Sequence, residues 1–196
     1  IPHIDKEVLK QKYAMNGRKV ISTFGLLSSG KSIETTLYSL PEIIALHPEV
    51  LFLIIGKIHP GIQRREGEKY RSYLENIVDE LGIHENVKFV NRYLPLDLLL
   101  EYLQLSDIYL FTSKDRNQAV SGTFVYALSC GCPIVSTPIP HAVEVLKNNC
   151  GILFDFENSS QLAAAVNKLL SNNALREEMR IAALHNVSSS VWENAA

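Results

Sequence analysis

What most constrains this chain is an alternation. Six short runs rich in β-branched, leucine and aromatic residues occur at 19–24, 50–55, 87–90, 108–112, 133–136 and 151–154, with longer segments between them. In those segments apolar residues recur at steps of three and four: Ile33, Leu37, Leu40 and Ile44; Tyr73, Ile77 and Leu81; Leu98, Tyr102 and Leu105; Phe124, Ala127 and Leu128. A run that is apolar at every position suits a strand covered on both faces, and three-four spacing suits a helix with one buried stripe. Parallel strands need crossovers long enough for a helix, which these segments supply. The pattern predicts an α/β fold, a doubly wound parallel sheet of about six strands with helices on both faces. Residues 159–184 add two helical stretches. The first is expected to start at a Ser-Ser cap, with Leu162, Val166, Leu169 and Leu170 on one face.

At 196 residues and 46% hydrophobic content the chain is long and apolar enough for one self-sufficient domain, and too short for two full ones. Nineteen basic against twenty-one acidic side chains leave a formal charge of −2, so no global field gathers nucleic acid, and no nucleic-acid partner is expected. Cys130, Cys132 and Cys150 are odd in number and lack a metal-ligand spacing with His. They read as reduced thiols of a cytoplasmic protein, and no metal site is expected. No apolar run is long enough to span a bilayer. The chain opens without Met, and a fragment is expected.

In doubly wound folds ligands sit at the carboxyl ends of the strands, so the loops there carry the chemistry. The first strand runs into Gly25-Leu-Leu-Ser-Ser-Gly30-Lys31-Ser32, a literal match to the P-loop pattern. A P-loop NTPase is therefore one alternative. Against it, no later strand ends in an acidic magnesium ligand: Ile55 is followed by Gly56-Lys57, and the fourth run ends in Thr112-Ser113. On either reading, backbone N–H groups and Lys31 face a phosphate at a helix N-terminus; the bland alternative is a solvated lysine. Beyond the fourth run, Ser121, Gly122 and Thr123 lead into an apolar helix that Gly131 stops before Pro133 opens a strand. Small residues at that helix start let a diphosphate approach free amides, although Ser121 as a mere cap is the structural alternative.

The motifs recur in a fixed order: the Gly-loop with Lys31, Leu51-Phe-Leu-Ile-Ile-Gly56, Asn86-Val-Lys-Phe-Val90, Leu105-Ser-Asp-Ile-Tyr-Leu110, Tyr126-Ala-Leu-Ser-Cys-Gly-Cys-Pro-Ile-Val-Ser136, Glu144-Val-Leu146 and Cys150-Gly-Ile-Leu-Phe154. In this order, over residues 18–180, the chain resembles the C-terminal nucleotide-sugar-binding domain of family 4 glycosyltransferases (glycosyl transferases group 1) of the GT-B architecture. The resemblance implies one Rossmann-like half of a two-domain enzyme. Residues 1–15 would then be the connection from a missing N-terminal, acceptor-binding domain, and 16–196 the donor-binding domain.

It further implies a UDP- or GDP-hexose substrate and retaining, metal-independent transfer to a hydroxyl acceptor, with no cofactor and with membrane association, if any, through the missing half. By the same resemblance Gly25 and Lys31 meet the diphosphate, the amides of Ser121, Gly122 and Thr123 hold it through the helix N-terminus, and Arg92 and Tyr93 lie along the base. A cation and a helix dipole can stabilise a diphosphate leaving group without a metal.

The sequence departs from the family at three places. Leu26 replaces a second cation, and Gln118 and Tyr126 stand where paired glutamates contact the donor sugar and the ribose. Gln118 keeps hydrogen bonding to a sugar hydroxyl but supplies no charge. Tyr126 either stacks or donates to the ligand, or belongs to the core. Arg65, within the His59 to Glu66 cluster, and His141, after the fifth run, are further candidate contacts. The competing functional class is a non-catalytic nucleotide-sugar-binding or assembly module.

Overall fold

A computed structural model describes residues 1–56, 67–118 and 122–193. Its centre is a six-stranded, all-parallel sheet made of β1 (Lys19–Phe24), β2 (Val50–Ile55), β3 (Val87–Val90), β4 (Ile108–Phe111), β5 (Ile134–Ser136) and β6 (Gly151–Leu153). The order across the sheet is β3-β2-β1-β4-β5-β6. Representative registers are Ile21 beside Phe52, Ile21 beside Ile108, and Tyr109 beside Ile134. The chain winds outward from β1 to β3, crosses back to β4 on the other side of β1, and winds outward again. That reversal places the switch point between β1 and β4, where the loops at the carboxyl ends diverge and leave a crevice.

The helices are α1 (Lys6–Lys12), α2 (Ile33–Leu46), α3 (Gly67–Leu81), α4 (Leu96–Leu105), α5 (Gly122–Ser129), α6 (Pro140–Val145), α7 (Ser159–Leu170) and α8 (Asn173–Glu193). Successive strand side chains point to opposite faces, so each strand feeds two cores. Ile21, Phe52, Ile54, Ile108 and Leu110 pack with Leu37 and Leu40 of α2, Leu74 and Ile77 of α3, and Leu162 and Val166 of α7. Val20, Leu53, Tyr109, Phe111 and Ile134 pack on the other side with Leu9 of α1, Tyr102 of α4 and Phe124 of α5. This is why β2 is buried at every position, while the edge strands β3 and β6 are not.

Two expectations about local structure shift. On α3 the buried stripe is Tyr70, Leu74, Ile77 and Val78, and Tyr73 is exposed. Tyr70 is drawn inward because its hydroxyl accepts from the Ile33 N–H at 2.9 Å and donates to Glu34 at 2.5 Å. The cap of α7 is Asn158, whose side chain accepts from the Gln161 N–H, rather than the Ser-Ser pair. Ser159, the first helical residue, donates instead to the Thr35 carbonyl of α2. Residues 1–15 also contribute to the core: Leu9 and Met15 are buried. Lys10 and Lys6 anchor α1 to Asp107 at 2.9 and 3.3 Å.

Asp107 caps the amino end of β4. Its carboxylate accepts from the Val20 N–H, and its own N–H donates to the Val20 carbonyl. Burial by itself would raise this carboxyl; the two lysines and the Val20 N–H more than offset that and hold it below the usual aspartate value.

Candidate functional site

At the carboxyl end of β1 the chain turns through Gly25, with φ of +140°, and meets Gly56 at the end of β2, with φ of +154°. The two glycines touch: a Cβ on Gly56 would fall 1.8 Å from the Gly25 carbonyl oxygen. No other residue type fits that approach, and the paired glycines form the floor of a cleft. The cleft has a volume of about 490 Å³ and is lined by Phe24, Gly25, Leu26, Lys31, Gly56, Arg92, Tyr93, Leu94, Ser28 and Thr123. Tyr93 and Leu26 form an apolar rim, Tyr93 being 81% exposed.

Lys31 lies in a single 3-10 turn, Ser29–Lys31, ahead of α2. Its side chain is half-buried, and its Nζ stands 5.4 Å from the centroid of the Phe111 ring. Burial holds the ammonium's pKa below the ordinary lysine value, and no carboxylate or hydrogen bond among the described residues opposes that. Beside it, the backbone N–H groups of Leu26, Leu27, Ser28, Ser29 and Gly30 donate to no acceptor among the described residues. A cluster of unspent amides beside a partly buried cation is a setting for an anion.

That setting differs from the expected one. The first amide of α2, Ile33 N–H, is taken by Tyr70, so the donors lie in the loop rather than at the helix start. The P-loop alternative fails for a related reason. Ser32, whose hydroxyl a P-loop would offer to magnesium, has φ of 49°, is fully buried, and pairs with the Thr35 hydroxyl at 2.9 Å.

The structure gathers Gly25, Lys31, Arg92, Tyr93 and Thr123 around the one cleft. Thr123, in the first turn of α5, is placed from below: its hydroxyl pairs with that of Tyr109 at 2.9 Å, inside the sheet. Gly122 is exposed, and a Cβ there would meet nothing within 4 Å among the described residues. Gln118 and Tyr126 do not line the cleft. Gln118 accepts from the Ser113 hydroxyl at its carbonyl oxygen at 2.5 Å, which uses one of that oxygen's two lone pairs. Tyr126 is 38% exposed, which removes the core reading for it.

His141 lies on α6 with its ring 5.3 Å from that of Phe124, and its Nδ1 is enclosed without a partner among the described residues. Ser121 and Arg65, with His59 and Glu66, lie outside the described residues. The three cysteines are unpaired, and burial raises the Cys130 thiol to about 11 and the Cys132 thiol to about 12. Among the described residues no three His, Cys, Asp or Glu side chains converge, and no helix is long and apolar enough to cross a membrane.

Sequence reading missed Gly56, Tyr109, Thr112, Ser113 and Thr137. For all but Tyr109, which lies within β4, the signal was a hydroxyl residue or glycine just beyond a strand's carboxyl end, which has meaning only once neighbouring strands are known.

The same fold occurs in other proteins. The C-terminal domain of a glycosyl transferase group 1 family protein, LpcC from Francisella tularensis, superposes with a TM-score of 0.83 at 17% identity, covering 96% of this chain and 93% of that one. Alr3699/HepE from Anabaena, solved in complex with UDP, superposes with a TM-score of 0.81 at 21% identity, over 94% of this chain and 48% of that one. By sequence, spore coat protein SA of Bacillus subtilis (strain 168) is 28% identical over 179 residues, which are 89% of this chain and 45% of the relative. The chain thus spans less than half the length of that relative. The sequence profile described as glycosyl transferases group 1 matches residues 5–185, and the chain belongs to that family.

Proposed function

We propose that this chain is the donor-binding domain of a retaining, metal-independent glycosyltransferase that moves a hexose from UDP or GDP to a hydroxyl acceptor. The observation that carries this reading is Lys31: a half-buried ammonium with no counter-charge among the described residues, facing a cleft at the switch point beside five unspent amides. An uncompensated cation in low dielectric is unfavourable in the empty protein and becomes favourable when an anion arrives. Cleavage of a glycosyl–phosphate bond builds charge on the departing diphosphate, and preorganised donors stabilise that charge at little reorganisation cost. The first amides of α5 face the same charge, Gly122 bringing no side chain in front of them. Arg92, Tyr93 and Leu26 fit the nucleoside end. UDP bound to the Anabaena relative supports a uridine nucleotide as the first choice of probe.

The acceptor wall belongs to an N-terminal domain, which also makes any peripheral membrane contact, and the enzyme works in the cytoplasm without a cofactor. This chain alone is expected to bind donor without turning it over. The second reading, a binding module without catalysis, is favoured by Gln118: it already accepts from Ser113, and it brings no negative charge to the sugar end. The full two-domain protein assayed with a panel of donors separates the readings, because transfer or hydrolysis of any sugar excludes a pure binding module.

For the site itself, calorimetric titration of UDP, GDP and ADP is expected to give diphosphate binding that does not need magnesium. Lys31→Ala should weaken it by about 1–3 kcal/mol, the scale of a lost charge-assisted bond. Strict magnesium dependence with preference for a triphosphate would overturn the proposal.

A further inference from the structure

Beneath the cleft, buried hydroxyls tie the carboxyl ends of β4 and β5 to the Lys31 loop. Thr112, just beyond β4, donates from Oγ1 to the Lys31 carbonyl at 2.7 Å, and two residues later the Lys114 N–H donates to the Gly30 carbonyl at 3.0 Å. Thr137, just beyond β5, donates from Oγ1 to the Ser113 carbonyl at 2.7 Å. Ser113 in turn donates from Oγ to Gln118. Thr112, Ser113 and Thr137 are all buried, Thr137 completely. Strand pairing asks for none of these hydroxyls, since the ladder uses backbone groups and a β-branched hydrocarbon packs there as well. A buried hydroxyl is unfavourable unless bonded, so what these add is a connection from the rigid sheet to groups that face the cleft.

The Lys31 loop needs such a connection. It holds two successive 3-10 bonds, Lys31 N–H to the Ser28 carbonyl at 3.0 Å and Ser32 N–H to the Ser29 carbonyl at 3.2 Å, and Ser32 then lies in the left-handed region. These bonds engage the N–H side of the peptide that follows Lys31, while its carbonyl is held from outside the loop, by Thr112.

We propose that Thr112 and Thr137 are positioning residues for the donor site: Thr112 holds the Lys31 peptide so that the ammonium faces the cleft, and Thr137 holds the Ser113 peptide from which Thr112 and Gln118 are both aimed. This rests on the reading of Lys31 as the counter-ion of the diphosphate. Thr112→Val deprives the Lys31 carbonyl of its donor, whereas Thr112→Ser keeps it. Thr137→Val acts one peptide further back and reaches Lys31 and Gln118 together.

The test is a double-mutant cycle read by calorimetry with UDP, GDP and inorganic pyrophosphate, on the chain itself, with Thr112→Val, Thr112→Ser, Lys31→Met and the Thr112→Val/Lys31→Met pair. Thr112→Val should weaken the better-bound nucleotide about tenfold, the scale of one lost hydrogen bond, and Thr112→Ser should restore it. In the Lys31→Met background Thr112→Val should change nothing further, because its effect passes through the lysine.

A threonine with only a structural role would lower Tm and weaken binding by the same factor in both backgrounds; that additivity, or wild-type binding by Thr112→Val, overturns the proposal. If Thr112→Val does not fold by circular dichroism, Thr112→Ala takes its place with the same two outcomes. Unchanged binding in Lys31→Met overturns the donor-site reading itself, while weakened binding there beside unchanged binding in Thr112→Val overturns only the role of Thr112.

Discussion

Lys31 sits where a lysine weakens the empty protein. Its pKa in the folded chain lies below the ordinary value near 10.5, so between the two values the unfolded chain holds more protons and stability rises with pH. At neutral pH, below both values, the full penalty is present. Lys31→Met should therefore raise the Tm of the unliganded protein by a few degrees at pH 7, with the gain shrinking as pH climbs toward 10.5, and should cost nucleotide affinity at the same time. Scanning calorimetry with and without UDP or GDP checks both halves; a fall in Tm without ligand would show that the lysine is structural. Nucleotide affinity in the wild type should likewise decline as the ammonium deprotonates, at a lower pH than for an exposed lysine. At this scale much was legible. Lys31 and Gly25 stood out from the loop composition alone. Thr112 and Thr137 did not, because a threonine beyond a strand looks like ordinary strand propensity until its acceptor, 81 or 24 residues away, is known.

Among the elements, α5 and α1 carry separate predictions. Gly122 opens α5 and faces space, so Gly122→Ala should leave stability unchanged or slightly raised, since alanine favours a helix, while its methyl group intrudes where a diphosphate would meet the amides. A loss of nucleotide affinity of about tenfold with unaltered Tm is the expected pattern; equal affinity would remove α5 from the site. At the amino end of β4, Asp107→Asn leaves the buried Lys10 with the exposed Glu7, 3.7 Å away, as its remaining carboxylate and should cost about 3 kcal/mol in urea unfolding, freeing α1. The Asp107 contribution is fully present above the ordinary aspartate value of 3.8 and is lost as pH falls through the lower folded value, so α1 should stay docked until the pH drops below 3.8. Element boundaries were largely readable: β1, β2 and β3 begin and end where their apolar runs do. The buried stripe of α3 was not, because Ile77 belongs equally to the stripe through Tyr73 and to the one through Tyr70. Only the Tyr70 hydroxyl's bond to α2 decides between them.

Across the whole molecule, a formal charge of −2 agrees with the proposed diphosphate ligand, held by one ammonium, loop amides and a helix end rather than by a basic surface. The alternation of apolar runs and three-four periodicity determined the α/β class by itself, because period and burial are local properties of the chain. So did the ordered motifs that mark its family. What only the tertiary structure decided was the site's internal logic: that Gly56 must be glycine because Gly25 lies against it, that the α2 start is spent on Tyr70, and that hydroxyls beyond β4 and β5 hold Lys31 and Gln118. The reason is that strand order β3-β2-β1-β4-β5-β6 makes neighbours of residues far apart in the chain, and a hydrogen bond or a steric contact depends on neighbours in space.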